Sequence, residues 1–211
     1  MTYRSPFERR LHRERQLGVL VMILVGFLIF TVLDFLLLHV FYMGDDRSIE
    51  HHDWYRFLRV LGFLGTWAAV GVLFVLHDRN RHRGAAVFLS ASSAGAIAEL
   101  LKLVFGRERP VEDGVLQSGW YHFRPLFSGF RDGSNLGLPS SHAAVAFGGC
   151  LMLAALVPNT RRFLLLLATG CAITRMLTGA HFGSDVYLGA VVGWLVSLFF
   201  VRVTPKPAIR I

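Results

Sequence analysis

Two histidines, an aspartate and three cations are spaced in a way that suits phosphate chemistry. Lys102 is followed after six residues by Arg109-Pro110, then comes Leu138-Pro139-Ser140-Ser141-His142, and finally Thr174-Arg175, five residues, His181, three residues and Asp185. Lys102 and Arg109 are seven apart, about two helical turns, so a helix running on to Pro110 presents both on one face. Arginine suits such a place because its planar fork grips two phosphate oxygens at once. Ser140 is a good N-cap for a helix that begins at Ser141, and a helix N-terminus with free backbone N–H groups is a ready anion site. His142 then stands at the phosphate with a proton to give. His181 and Asp185 are four apart, so Asp185 can accept a hydrogen bond from one ring nitrogen, fix the tautomer and raise the basicity of the other. That is a nucleophile and its orienter. Arg175, near the end of an apolar segment, is expensive without a partner. Together these groups can bind a phosphate and break its ester bond. Each alone has a plainer reading: Glu99 neutralising Lys102 three residues on, a helix cap beside an interfacial histidine, a loop histidine beside a capping aspartate.

The elements that must position these groups are apolar. Of the 211 residues 54% are hydrophobic, and the mean hydropathy is +0.49, too apolar for an ordinary soluble domain. The net charge of +8 does not indicate nucleic acid, because the aromatics lie in apolar runs rather than among the basic residues. Spans are expected at Leu17–Met43, Phe57–Leu76, Gly84–Phe105, Ser141–Val157, Phe163–Leu177 and Ser184–Val203. The fold class is therefore an all-α integral membrane protein of six transmembrane helices, a single domain over residues 1–211. Residues 1–16 form a basic leader, an amphipathic surface helix or a solvated tail, with no cleavable signal; 204–211 form a basic tail. Arginines and lysines place both termini, the 77–83 turn and Arg161-Arg162 in the cytoplasm. The 44–55 and 106–138 loops then lie outside, and the active site falls at the outer ends of helices three to six. The outer loop carries Trp120-Tyr121-His122-Phe123-Arg124-Pro125, which suits the membrane interface beside a lipid entrance. Ala91, Gly95 and Ala98, and Gly189-x-x-x-Gly193, offer close helix contacts. Asp34 is an intramembrane carboxylate expected to pair with a neighbouring helix. Cys150 and Cys171 are packing residues without metal-ligand or disulfide spacing, and His51-His52-Asp53 is a solvated cluster.

The three motifs in order resemble the signature of the type 2 phosphatidic acid phosphatase superfamily, the membrane lipid phosphatases related to vanadium haloperoxidases. That signature reads Lys-x6-Arg-Pro, Pro-Ser-Gly-His and Ser-Arg-x5-His-x3-Asp, and here it spans residues 102–185. Two positions depart from it, Ser141 for glycine and Thr174 for serine. Ser141 narrows the pocket by a Cβ, Thr174 keeps the hydroxyl, and neither removes a catalytic group. The resemblance implies roles. His181 attacks phosphorus to form a phosphohistidine and Asp185 orients it. His142 protonates the leaving alkoxide and then activates water. Lys102, Arg109 and Arg175, with Ser140 and Ser141, hold the phosphate oxygens. Neither metal nor cofactor is implied. Arg107, Arg124 and His122 are candidates for a second phosphate or headgroup.

The expected activity is hydrolysis of a lipid phosphate or diphosphate: polyprenyl diphosphate, phosphatidylglycerol phosphate, phosphatidic acid or lipid A. The partners expected are that lipid and the bilayer, and no nucleic acid. The setting expected is the bacterial inner membrane with the site facing the periplasm. Two other readings stay open, a lipid phosphotransferase using the same intermediate and a non-catalytic anionic-lipid-binding membrane protein. A haloperoxidase would need vanadate, and six spans suit a lipid-facing site better.

Overall fold

The computed structural model describes residues 6–44, 47–78, 80–112, 115–116 and 120–204. The start of the basic leader, Asp45-Asp46, Arg79 and the tail beyond Thr204 lie outside the described residues. The chain runs through α1 (Pro6–Phe41), α2 (Asp53–Arg59), α3 (Leu64–His77), α4 (Arg81–Phe105), a two-residue hairpin β1 (Val111–Glu112) and β2 (Val115–Leu116), α5 (Ser141–Leu156), α6 (Arg161–Leu177) and α7 (Gly183–Val203). The last four helices begin and end within about three residues of the bounds expected of spans three to six. Helix α1 is continuous from Pro6, so the end of the leader is helical rather than a loose tail.

Among the described residues three helices are long and apolar enough to cross a membrane, α1 from Arg13, α4 and α7, and the bent pair α2–α3 makes a fourth if taken as one span. At 16 and 17 residues, α5 and α6 are shorter than the roughly 20 a bilayer calls for. The second expected span is not one helix. It is α2, a 3₁₀ turn over Val60–Gly62, and α3, bent by 72°. Phe63 is extended (φ −98°, ψ 136°), which interrupts the backbone ladder. Freed carbonyls find side-chain donors: Thr66 Oγ1 to Val60 O at 2.6 Å and Trp67 Nε1 to Leu61 O at 2.8 Å. Gly62 allows the corner to press on α5, where a Cβ would meet the His142 ring at 2.6–2.9 Å.

Helix α5 is central, packed on α4, α6 and α7, while α1 covers α7. Small residues make this close packing possible. A Cβ on Gly193 would meet Ala144 O at 2.6 Å, and one on Gly148 would meet Ser90 O at 3.0 Å. Ala91, Ala94 and Ala98 are fully buried on α4. Trp67 fills the space beside them with Val87, Met152 and Cys171. The outward flank of α1 stays apolar, with Val32 81% exposed, as a lipid-facing surface requires. The helix order puts Phe41, Phe63, Phe105, Ser141, Leu177 and Gly183 at one end of the bundle, and His77, Arg81, Leu156, Arg161 and Val203 at the other.

Candidate active site

Every residue singled out for phosphate chemistry lies at that first end. Lys102 is in the last turn of α4 and nearly buried; its Nζ donates to Glu99 Oε1 at 2.8 Å and to Ser141 Oγ at 3.0 Å. Glu99 therefore does partner Lys102, with its own carboxylate left exposed. The helix does not extend to Pro110. It stops at Gly106, whose φ of +66° is left-handed and favours glycine. Arg109 thus reaches the site from the outer loop and not from the helix face shared with Lys102, its Nε donating to Leu136 O at 3.3 Å. Arg175, in the last turn of α6, is buried with Nε lacking any partner within the protein. Lys102 and Arg175 are buried at this end of the bundle and Arg109 is half-buried, an arrangement of like charges that a bound anion would stabilise.

The α5 N-terminus faces the same space. Ser140 occupies the N-cap position with extended backbone, as expected, but its side chain makes no cap bond, and its buried Oγ is unpartnered. His142 Nε2 is likewise buried and unpartnered, with the ring edge-on to Phe63 at 5.2 Å. Thr174 points elsewhere, its hydroxyl donating to Cys171 O at 2.6 Å.

His181 lies in the α6–α7 turn, with Nδ1 3.6 Å from Asp185 Oδ2, an electrostatic contact longer than a hydrogen bond. Asp185 is better held by others. Its Oδ2 accepts from the Phe182 backbone N–H at 2.8 Å, and its Oδ1 accepts from Arg107 Nε at 3.0 Å and from Arg107 Nη2. Burial pushes the His181 imidazole down to about 4, against the opposing pull of Asp185, so the ring is neutral at neutral pH.

Arg107, a candidate by sequence for a second phosphate or headgroup, is engaged within the protein. It does not wait for a second phosphate. It is 2% exposed, and its Nη2 also donates to Ser184 Oγ at 2.8 Å. Ser184 N donates to Asp34 Oδ1 at 2.7 Å, and Ser184 Oγ donates to Asp34 Oδ2. Tyr121 OH donates to the same carboxylate at 2.9 Å, and the Arg107 guanidinium stacks on the rings of Tyr121 (5.0 Å) and Phe182 (5.3 Å). Asp34 thus pairs with a neighbouring helix, tying α1 to α7 and to the outer loop. Arg124 is also engaged, with Glu108 at 2.7 Å and Asp132 at 3.0 Å. His122 contributes its backbone carbonyl to Glu108 N at 2.9 Å, and its side chain is exposed. The one sequence signal for Arg107 is its place in Arg-Glu-Arg-Pro, two residues before Arg109.

Residues 83–208 match the PAP2 superfamily. The chain is 34% identical over 123 residues to a lipid A 1-phosphatase of Rhizobium johnstonii, covering 56% of this chain and 48% of that protein. It is 34% identical over 115 residues to a lipid A 1-phosphatase of Rhizobium etli, covering 54% and 47%. The match thus spans about half the length of these curated relatives. No solved structure matches. With the matched region holding Lys102, Arg109, His142, Arg175, His181 and Asp185 at one end of one helical bundle, the chain belongs to the PAP2 superfamily.

Proposed function

We propose that the chain is a membrane-embedded, metal-independent phosphatase of a lipid phosphate or diphosphate. One observation carries this reading: among the described residues, Ser140 Oγ, His142 Nε2 and Arg175 Nε are buried polar atoms without hydrogen-bond partners, at the same end of the bundle as Lys102, Arg109 and His181. Buried polar atoms need partners, and a tetrahedral phosphate supplies acceptors for the cations and hydroxyl at once. Neutral His181, its Nδ1 turned to Asp185, attacks phosphorus through Nε2. The N–P bond forms as the P–O bond to the lipid breaks, and His142 gives its proton to the departing oxygen. His142 then takes a proton from water, whose oxygen attacks phosphorus; the N–P bond breaks and inorganic phosphate leaves. Lys102, Arg109, Arg175, Ser140 and Ser141 hold the oxygens on which charge develops.

The setting is six spans, counting α2–α3 as one and α5 and α6 as short spans inside the bundle, with both termini cytoplasmic and the site facing the periplasm across a bacterial inner membrane. The names of the Rhizobium relatives bring lipid A forward among the candidate lipids. Exposed Trp120, Phe123, Leu126, Phe127 and Phe130 on the outer loop suit contact with a lipid surface beside the site. The test is phosphate release by purified protein in detergent, in EDTA, from a panel of lipid A, phosphatidic acid, phosphatidylglycerol phosphate and polyprenyl diphosphate. Release in EDTA from at least one lipid is expected. Silence on every lipid, or release abolished by EDTA, contradicts the reading.

A further inference from the structure

The bend in the second hydrophobic segment has a chemical result. It lays α2 against α6 and the Val60–Gly62 turn against α5, and so sets Tyr55 and Arg59, neither part of the family signature, beside Phe63, whose ring packs on His142. Tyr55 is fully buried, and its hydroxyl has no partner within the protein. Arg59, four residues on and so on the same helix face, stacks its guanidinium on Tyr55 at 5.8 Å and on Phe63 at 5.7 Å. Phe63 in turn packs edge-on against His142. On the other side, the Arg59 carbonyl meets Cys171 Sγ at 3.8 Å, one helical turn below Arg175. The Arg59 backbone thus rests on α6 below Arg175, and its guanidinium shares the Phe63 ring with His142. Its Nε is buried and has no hydrogen-bond partner among the described residues, while Nη1 makes a partly exposed ion pair with Glu50 at 3.7 Å, longer than a hydrogen bond.

We propose that Arg59 and the Tyr55 hydroxyl form an anion subsite on the leaving-group side of His142, which takes the lipid-linked phosphate of a lipid diphosphate. The inference rests on the phosphatase reading above, with His142 as the leaving-group acid. A monophosphate ester leaves an alkoxide that one proton neutralises. A diphosphate leaves a phosphate that is anionic before and after the P–O bond breaks. The terminal phosphoryl group goes to His181, the bond from its phosphorus to the bridging oxygen breaks, and the electron pair stays on the lipid phosphate. A planar arginine fork beside a phenol O–H answers that persistent charge.

The experiment compares kcat/KM on farnesyl diphosphate and farnesyl monophosphate for the full chain in detergent, with the variants Arg59→Gln, Arg59→Lys and Tyr55→Phe. Arg59→Gln should lose about 10²-fold on the diphosphate and less than about threefold on the monophosphate. Arg59→Lys should recover part of the loss, and Tyr55→Phe should show a smaller loss in the same direction. Equal losses on both substrates, or none on the diphosphate, overturn the subsite. If Arg59→Gln does not fold, Tyr55→Phe decides by the same ratio, since it keeps the buried ring. A wild type that cleaves only the monophosphate overturns the subsite and leaves the phosphatase reading standing. A wild type that cleaves neither farnesyl substrate overturns the subsite, and the phosphatase reading then stands or falls on the lipid panel above.

Discussion

At the scale of single residues, the proposed chemistry turns on a neutral His181 and on Arg175, whose buried Nε has no hydrogen-bond partner among the described residues. His181 is buried and held near about 4, so it offers a lone pair at any ordinary pH. Its protonation on acidification removes the nucleophile. The kcat/KM profile should therefore fall tenfold per pH unit below about 4 and show no acidic limb near the ordinary histidine range. An acidic limb centred near 6.5 would mean that the imidazole is not shielded as the structure has it. The same shift is a stability statement: the folded chain resists protonation of His181, so that contribution is fully present above 6.5 and is lost as pH falls through about 4. Among the cations, Arg175 has a buried free Nε whereas Arg109 spends its Nε on Leu136 O. Arg175→Lys should lower kcat/KM by about 10²-fold, and Arg109→Lys by less. Motif spacing made most of these side chains legible, because they sit in the first or last turn of a helix or in the α6–α7 turn; Arg109, in the outer loop beyond Gly106, is the exception. It did not make Arg107 legible. An arginine that binds substrate and one that clamps Asp185 look the same in a sequence, and only the 77 residues of chain closing between Arg107 and Ser184 distinguish them.

At the scale of elements, the polar network of Asp34, Ser184, Arg107 and Asp185 joins α1, the outer loop and α7 beside His181, the proposed nucleophile. Removing one member of a buried charged pair costs about 3–5 kcal/mol, because the other charge is stranded. Arg107→Met and Asp34→Asn should lower the thermal unfolding temperature in detergent and reduce kcat with KM nearly unchanged. Arg107→Lys should regain stability but not kcat, since an ammonium lacks the fork that holds Asp185 by two nitrogens. Normal kcat in Arg107→Met would remove Asp185 positioning from the mechanism. Helix positions were readable from long apolar runs, and the small residues on α4 and α7 marked the faces that meet α5. The break between α2 and α3 was not readable. Val60–Leu64 is as apolar as the helices around it, and the bend is stabilised by tertiary partners, Gly62 on His142 and Trp67 on Leu61, that hydropathy does not encode.

At the scale of the whole molecule, the alternation of helices puts the proposed active site at one end and Arg81, Arg83, Arg161 and Arg162 at the other. The proposed orientation sets those four arginines in the cytoplasm and leaves outside the cations engaged in the site and its ion pairs. Cys150 and Cys171 are buried, so an introduced cysteine can be probed against a quiet background. In intact cells with a permeabilised outer membrane, Ser134→Cys should react with a membrane-impermeant maleimide, and Thr160→Cys only after the inner membrane is opened. The reverse pattern would invert the topology.

The most direct test of the account is to trap the covalent intermediate. Purified protein is mixed with ³²P-labelled lipid phosphate in EDTA, quenched within milliseconds and examined for protein-bound label. The account predicts label that survives alkali, is lost in acid as a phosphohistidine is, maps to His181 and disappears in His181→Ala. Acid-stable label on Ser140 or Ser141, or unchanged label in His181→Ala, would contradict it.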